Sequence, residues 1–197
     1  TKLLGTNPVL NRKLPVEMDF TNPTIGTRVN KQGFIENGPR NLLTFSEDFS
    51  NSIWAKNDTV VLSTNNINPF GKLNATALGF TQQSNPNLQQ VISTVPGKVF
   101  TTSFYVRRVS GNSIIYLRVG SLNQNTINPT SVWQKFSVTG VSDSTIARCT
   151  VGVVSPVIGV DVIEIWGSQL EQGSVATEYY PTTTRTNLAR IDYSSGE

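Results

Sequence analysis

The sequence predicts an all-β chain folded as an antiparallel β-sandwich, and three observations carry that prediction. The stretch from Val160 to Gly173 opens on strict alternation. Ile163 and Ile165 fall on one side and Val162, Glu164 and Trp166 on the other, the period of a strand with one apolar face. Segments of the same kind recur along the chain, separated by turns rich in Gly, Pro and Asn. No sustained helical period interrupts them, so helix should be a minor component.

Taken in order, residues 1–40 read as an extended N-terminal arm punctuated by Pro8, Pro15, Pro23 and Pro39. Within it, Thr27 to Asn30 and Gly33 to Asn37 are expected to pair across a turn at Lys31-Gln32, with Gly33 left-handed. The arm either lies on the main body or docks on a neighbouring subunit. The sandwich is expected over residues 41–181. Leu42, Leu43 and Phe45 open it, Ser46 caps a turn, and Trp54 is assigned to the edge of the core. Strands are expected at Thr59–Thr64, Lys72–Thr81 and Asn87–Thr94, with Asn65–Gly71 as a loop dense in turn formers.

Val99–Val109 and Ser113–Gly120 flank Gly111-Asn112, a dipeptide suited to a two-residue hairpin turn. That hairpin would set Ser110 against Ser113, Val106 against Leu117 and Phe104 against Val119 on an apolar face. Tyr105 would meet Arg118, and Arg107 would meet Tyr116, on the other face. Arg108 falls on the apolar side but close to the turn. Ser121–Ser131 reads as a polar loop. Val132–Gly140 should point Val132, Phe136 and Val138 inward and Trp133 and Lys135 outward. Ile146–Ser155 is a strand with Cys149 inward. Pro156 and Gly159 turn the chain into Val160–Gly173, the last long strand, in which Gly167 permits a bulge. Residues 182–197 read as a short C-terminal tail, either a tether or the lead-in to a further module.

Several of these stretches together resemble a known family. IWGSQLEQGSVATEYYPTT is similar to the closing segment of jelly-roll modules, likened to carbohydrate-binding modules, in bacteriophage tail fibres and virion decoration proteins. NLLTFSEDFSNSIWAKNDTVV, from Asn41 to Val61, resembles their opening segment; VFTTSFYVRRVSG and VWQKFSVTG resemble middle strands; TRVNKQGFIENGPRNL resembles their lead-in. The resemblance implies a jelly roll on the surface of a phage particle, partnered by other virion proteins. A homo-oligomer, a trimer by likeness to fibre proteins, and a host-surface carbohydrate are further implied partners. Modules of this kind often hold a structural ion near the opening segment, and for calcium Glu47 and Asp48 would be the side-chain donors beside backbone carbonyls. No cofactor and no bound metal are otherwise expected.

Composition narrows the chemistry. Sixteen cations against thirteen anions give a net charge of +3 without any block of like charge, so no nucleic-acid stripe is expected. No apolar run approaches the length of a membrane span. The single cysteine, Cys149, excludes an intrachain disulfide and reads as a buried, inert thiol. The chain has no histidine, which removes Ser-His-Asp and Cys-His catalysis. The close acidic pairs, Glu47-Asp48 and Asp161/Glu164, make no glycosidase signature.

The candidate ligand residues are Tyr105, Arg107, Tyr116, Arg118 and Trp133. Rings stack on the apolar face of a sugar, and guanidinium supplies fixed donors to hydroxyls or acids. The same residues also make ordinary cross-strand pairs or a covered interface. Trp133 and Trp166 point outward by alternation, where each serves either as a stacking platform or as packing under a loop. A non-enzymatic structural or attachment module is therefore expected. A cement protein without a glycan ligand and, behind it, a polysaccharide depolymerase are the alternatives.

Overall fold

The computed structural model describes residues 27–29, 35–37, 41–120, 124–142, 145–184 and 186. Among these residues there are twelve strands and no helix. They are β1 (Thr27–Val29), β2 (Ile35–Asn37), β3 (Ala55–Asn57), β4 (Thr59–Ile67), β5 (Leu73–Phe80), β6 (Asn87–Ser93), β7 (Val99–Ser110), β8 (Ile114–Arg118), β9 (Gln124–Ile127), β10 (Gln134–Val141), β11 (Ile146–Val154) and β12 (Val162–Gln172). β1 and β2 pair antiparallel with Arg28 opposite Glu36, as expected for the arm. The turn proposed at Lys31-Gln32 and Gly33 lies outside the described residues, as do residues 187–197 of the expected tail.

The remaining strands form an antiparallel sandwich of two five-stranded sheets. The front sheet runs β10-β7-β12-β5-β4 and the back sheet β3-β6-β11-β8-β9. Alternation explains the inner layer. Phe100, Phe104 and Val106 of β7, Ile163 and Ile165 of β12, and Leu78 and Phe80 of β5 face Ile115 and Leu117 of β8 and Cys149, Val151 and Val153 of β11. Trp54 is fully buried in the core, against Phe49 and near Phe104, with its indole N–H donated to the Phe45 carbonyl at 3.0 Å. Cys149 is buried, with Sγ 2.7 Å from Thr102 Oγ1, and burial pushes its thiol far above the ordinary range. It is inert, as expected.

The predicted hairpin at Gly111-Asn112 does not form. β7 and β8 belong to opposite sheets, so the chain crosses from front to back there. Ser110 pairs with Val162 instead of Ser113. Gly111 is left-handed (φ 79°) and Asn112 is not, which excludes a type I′ turn at these residues. The corner is held by Asp161. Its carboxylate accepts from the Ser113 amide (3.2 Å), the Ser113 hydroxyl (2.8 Å) and the Val157 amide (2.6 Å). Arg108, facing inward, donates to the Gly111 and Ser113 carbonyls at the same corner.

β12 is the central strand of the front sheet and is buried on both faces, not one. Its bulge falls where Gly167 predicted it, at φ 62°. Trp166 pairs with Tyr105 and Gln169 with Ser103, so β12 carries one extra residue and Leu170 takes over the inward phase. Beyond the bulge, residues 42–46 replace β5 as β12's neighbour, through Leu42 N to Leu170 O and Ser168 N to Ser46 O. Residues 182 and 183 pair in turn with Ser46 and Phe45, a contact that runs past the expected start of the tail. Two further differences are local. The polar run after Ser121 contains β9, paired to β8, and Val132 is 68% exposed instead of inward.

Candidate functional site

The outer face of the front sheet is partly roofed from two sides. The end of β4 is irregular, with register shifts after Val61, Ser63 and Asn66. Its residues and the loop that follows bend over the sheet, so that the Trp133 indole N–H reaches the Ile67 carbonyl at 3.1 Å. From the other side, residues 173–180 lie across β7, β10 and β12. Thr101 Oγ1 donates to Gly173 O, the Lys135 ammonium to Thr177 O, and Gln169 Nε2 to Glu178 O.

Between these two covers is a cleft of about 560 Å³, lined by Glu47, Asn68, Phe70, Lys72, Asn74, Tyr105, Trp166, Glu178, Tyr179 and Pro181. Its apolar part is a cluster of four rings. Phe70 stands 5.9 Å from Tyr105 and 5.3 Å from Trp166, Tyr105 stands 5.5 Å from Trp166, and Trp166 stands 4.6 Å from Tyr179. Trp166 is the floor, 5% exposed, while Phe70 at the loop tip is 63% exposed. Thus the outward Trp166 is packed under a loop and still borders open space.

The polar part is a continuous chain of hydrogen bonds. Asn68 Nδ2 donates to Asn74 Oδ1 (2.6 Å), which also accepts from Trp166 Nε1 (3.0 Å). Asn74 Nδ2 donates to Glu47 (2.6 Å), and the Tyr179 hydroxyl donates to the other Glu47 oxygen (3.2 Å). Burial raises the Glu47 pKa above its ordinary 4.5, against the opposing pull of Tyr179, the Lys72 charge and Asn74. Burial, then the Glu47 charge, pushes the Tyr179 phenol far up, so it is a fixed donor.

The five candidate residues divide between the two sheets. Tyr105, Arg107 and Trp133 share the outer face of the front sheet: Arg107 Cζ lies 5.0 Å from the Trp133 ring centroid and the guanidinium is bound to Glu164 at 2.6 Å. Of these three, only Tyr105 lines the cleft. Tyr116 and Arg118 sit on the outer face of the back sheet, so the pairs Tyr105–Arg118 and Arg107–Tyr116 do not exist. Tyr116 is 2% exposed, its ring lies over Gly152, and its hydroxyl donates to the Asn85 carbonyl at 3.4 Å. It is a covering side chain and no stacking platform. Its partner Arg118 lies 6.0 Å from the Tyr116 ring centroid.

The donors suggested for calcium also separate: Glu47 is bound to Asn74 and Tyr179, and Asp48 accepts from Ser50. Among the described residues no group of three or more Cys, Asp or Glu side chains comes together to hold a metal. Phe70, Lys72, Asn74, Glu178 and Tyr179 were not singled out from sequence. The available signal was an aromatic residue inside an otherwise polar, turn-rich loop.

No family model matches the chain, and no curated protein matches it. Among solved structures, the CBM22-1 xylan-binding domain from Paenibacillus barcinonensis is similar with a TM-score of 0.51 at 12% identity, over 71% of this chain and 97% of that one. An exo-beta-agarase gives 0.52 at 14% identity, over 69% of this chain and 25% of that one. The enzymatically active domain of Bacteriophage CBA120 tailspike protein 4 gives 0.50 at 15% identity, and the match spans 68% of this chain and 21% of that chain. At such identities the likeness is one of fold. The chain shares the jelly-roll sandwich fold of that xylan-binding domain.

Proposed function

We propose that this chain is a non-enzymatic glycan-binding module at the surface of a bacteriophage particle, in a tail fibre or a decoration protein, and that it attaches the particle to host-surface carbohydrate. The observation that carries the binding reading is the front-sheet cleft. An exposed ring, Phe70, stands beside two further rings, Tyr105 and Trp166, with carboxylate and amine groups at the rim. That is the combination a sugar needs, an apolar face to stack on and charged or polar groups to orient its hydroxyls.

The phage setting is supported by the likeness of the opening and closing segments to tail-fibre modules. It is also in keeping with a xylan-binding domain and a tailspike domain that share this fold. Single-site affinity of such a cleft would be weak. Display of several copies, as in a trimer, would raise it by avidity. The test is binding of the full chain to a glycan array and to host cells, with Phe70→Ala as the comparison. Binding that drops in Phe70→Ala is expected. A folded chain that binds no glycan and no host surface overturns the proposal, and release of reducing ends from host polysaccharide overturns its non-enzymatic part.

One observation favours the cement reading as a second. Val109, Ile114, Val157, Ile158 and Val160 are all exposed apolar residues near the front-to-back crossover. Contiguous exposed apolar surface marks interaction sites. In a particle image, cement function expects that end to be covered by a neighbouring subunit, and attachment expects the cleft to be open.

A further inference from the structure

We infer that the front-sheet cleft takes an organic ammonium group carried by a glycan, either the free amine of an amino sugar or a trimethylammonium substituent. This rests on reading the cleft as a glycan site and adds the charge of the ligand to it.

The rings provide the first reason. Tyr105, Trp166 and Phe70 are mutually inclined at 61°, 61° and 72°, and Tyr179 is inclined at 61° to Trp166. Parallel rings would hold a flat sugar between them. The ring pairs meet edge to face, and a ring face left open at the cleft attracts a compact cation, because it carries negative quadrupole charge. The protein already makes one such contact: the Lys135 ammonium lies 5.8 Å from the Tyr105 ring centroid.

The carboxylates provide the second reason. The lining includes Glu47 and Glu178 against one cation, Lys72. Lys72 is exposed and acts electrostatically on Glu47, which offsets one of the two negative charges. Glu178 remains at the open side. It also acts on Lys135, as Glu171 does, and the Lys135 ammonium stands over the Tyr105 ring. A neutral sugar hydroxyl can donate to a carboxylate but leaves its charge uncompensated, whereas an ammonium both donates and compensates the charge. Glu47 is the half-buried acceptor. Its oxygens already receive Asn74 and Tyr179, which fixes them in place for a further donor.

The test is calorimetric titration of the full chain at pH 7 and fixed ionic strength with three probes: chitosan oligosaccharide, its fully N-acetylated counterpart and choline chloride. Chitosan oligosaccharide or choline is expected to bind, the amine sugar at least about tenfold more tightly than the N-acetyl form. Preference for chitosan identifies the amino sugar, and competition by choline identifies the trimethylammonium group. Glu178→Gln, a substitution at an exposed site, is expected to lower the preference for the charged over the acetylated sugar severalfold. Equal affinity for the charged and acetylated sugars, still lost in Phe70→Ala, overturns the charge assignment and leaves the glycan site standing. Absence of binding by either sugar and by choline overturns this inference, and the glycan array then decides the fate of the broader reading.

Discussion

Asp161→Ala is the perturbation that tests the crossover between the sheets. Asp161 is 3% exposed and its carboxylate accepts three hydrogen bonds, from the amide and hydroxyl of Ser113 and the amide of Val157. Hydrogen bonds to a charged group contribute about 1.5–3 kcal/mol each, but these three share one carboxylate and are not additive. A loss of about 3 kcal/mol is expected, or roughly 6–12 °C in Tm for a chain of this size. Urea denaturation gives the free energy and circular dichroism the Tm.

The pH dependence of the difference between wild type and Asp161→Ala carries a sign. Burial raises the Asp161 pKa, but the bonds from Val157 and Ser113 and the Arg108 charge outweigh it and hold the folded value below the ordinary 3.8. The stabilisation is therefore fully present above the unfolded value and fades as the pH falls through the folded one. Stability of Asp161→Ala within about 0.5 kcal/mol of wild type at pH 7, which is the scale of an ordinary surface change, would refute the reasoning. A gap that widened on acidification would refute it equally.

Other outcomes follow from the same geometry. Glu47→Gln should change the stability profile in the opposite sense. The raised Glu47 pKa means that ionisation costs the folded state, so wild type should lose ground to Glu47→Gln as the pH rises from below 4.5 through the folded value, read by the same urea series. Gly152→Ala would place a Cβ 2.4 Å from Tyr116 Cζ and 2.8 Å from the Pro86 carbonyl, and should cost about 1–3 kcal/mol by overpacking. In a Tyr116→Ala background the cost should shrink, which a double-mutant cycle measures. Gly111→Ala would put a Cβ 1.8 Å from Asp161 Oδ1 at a left-handed position, so it should destabilise the fold, and Asp161→Ala should relieve only the side-chain part of that cost, because the Asp161 Cα stays 2.8 Å away and the φ is unchanged.

Much of the fold was legible because alternation and turn residues report which side of a strand faces the core. Ile163, Ile165, Phe104, Val106, Leu117 and Cys149 all face inward as read. Alternation does not report which strand is the neighbour. A hairpin and a crossover between packed sheets put the same residues inside, so β7 and β8 satisfied the hairpin pattern while lying on opposite sides of the core. The decisive group, Asp161, is far away in sequence and reaches the corner only through tertiary packing. β9 was missed because Gln124–Ile127 is polar and lies at a sheet edge, where neither face demands apolar residues.

The site was legible in part. Outward placement of Tyr105, Trp133 and Trp166 follows from strand phase. The cleft itself depends on a bent β4, the loop carrying Phe70 and the returning C-terminal segment, none of which has a periodic signal. Tyr116 and Arg118 were placed beside Tyr105 by the assumed hairpin alone, and they left the patch with it.

Side-by-side titration of host-surface polysaccharide into wild type, Phe70→Ala and Arg118→Ala tests the location of binding most directly. The front-sheet cleft expects Phe70→Ala to lose about tenfold or more in affinity, as a ring-to-sugar stacking contact would, with Arg118→Ala matching wild type. Undiminished binding by Phe70→Ala together with loss in Arg118→Ala would move the site to the back sheet and contradict the account.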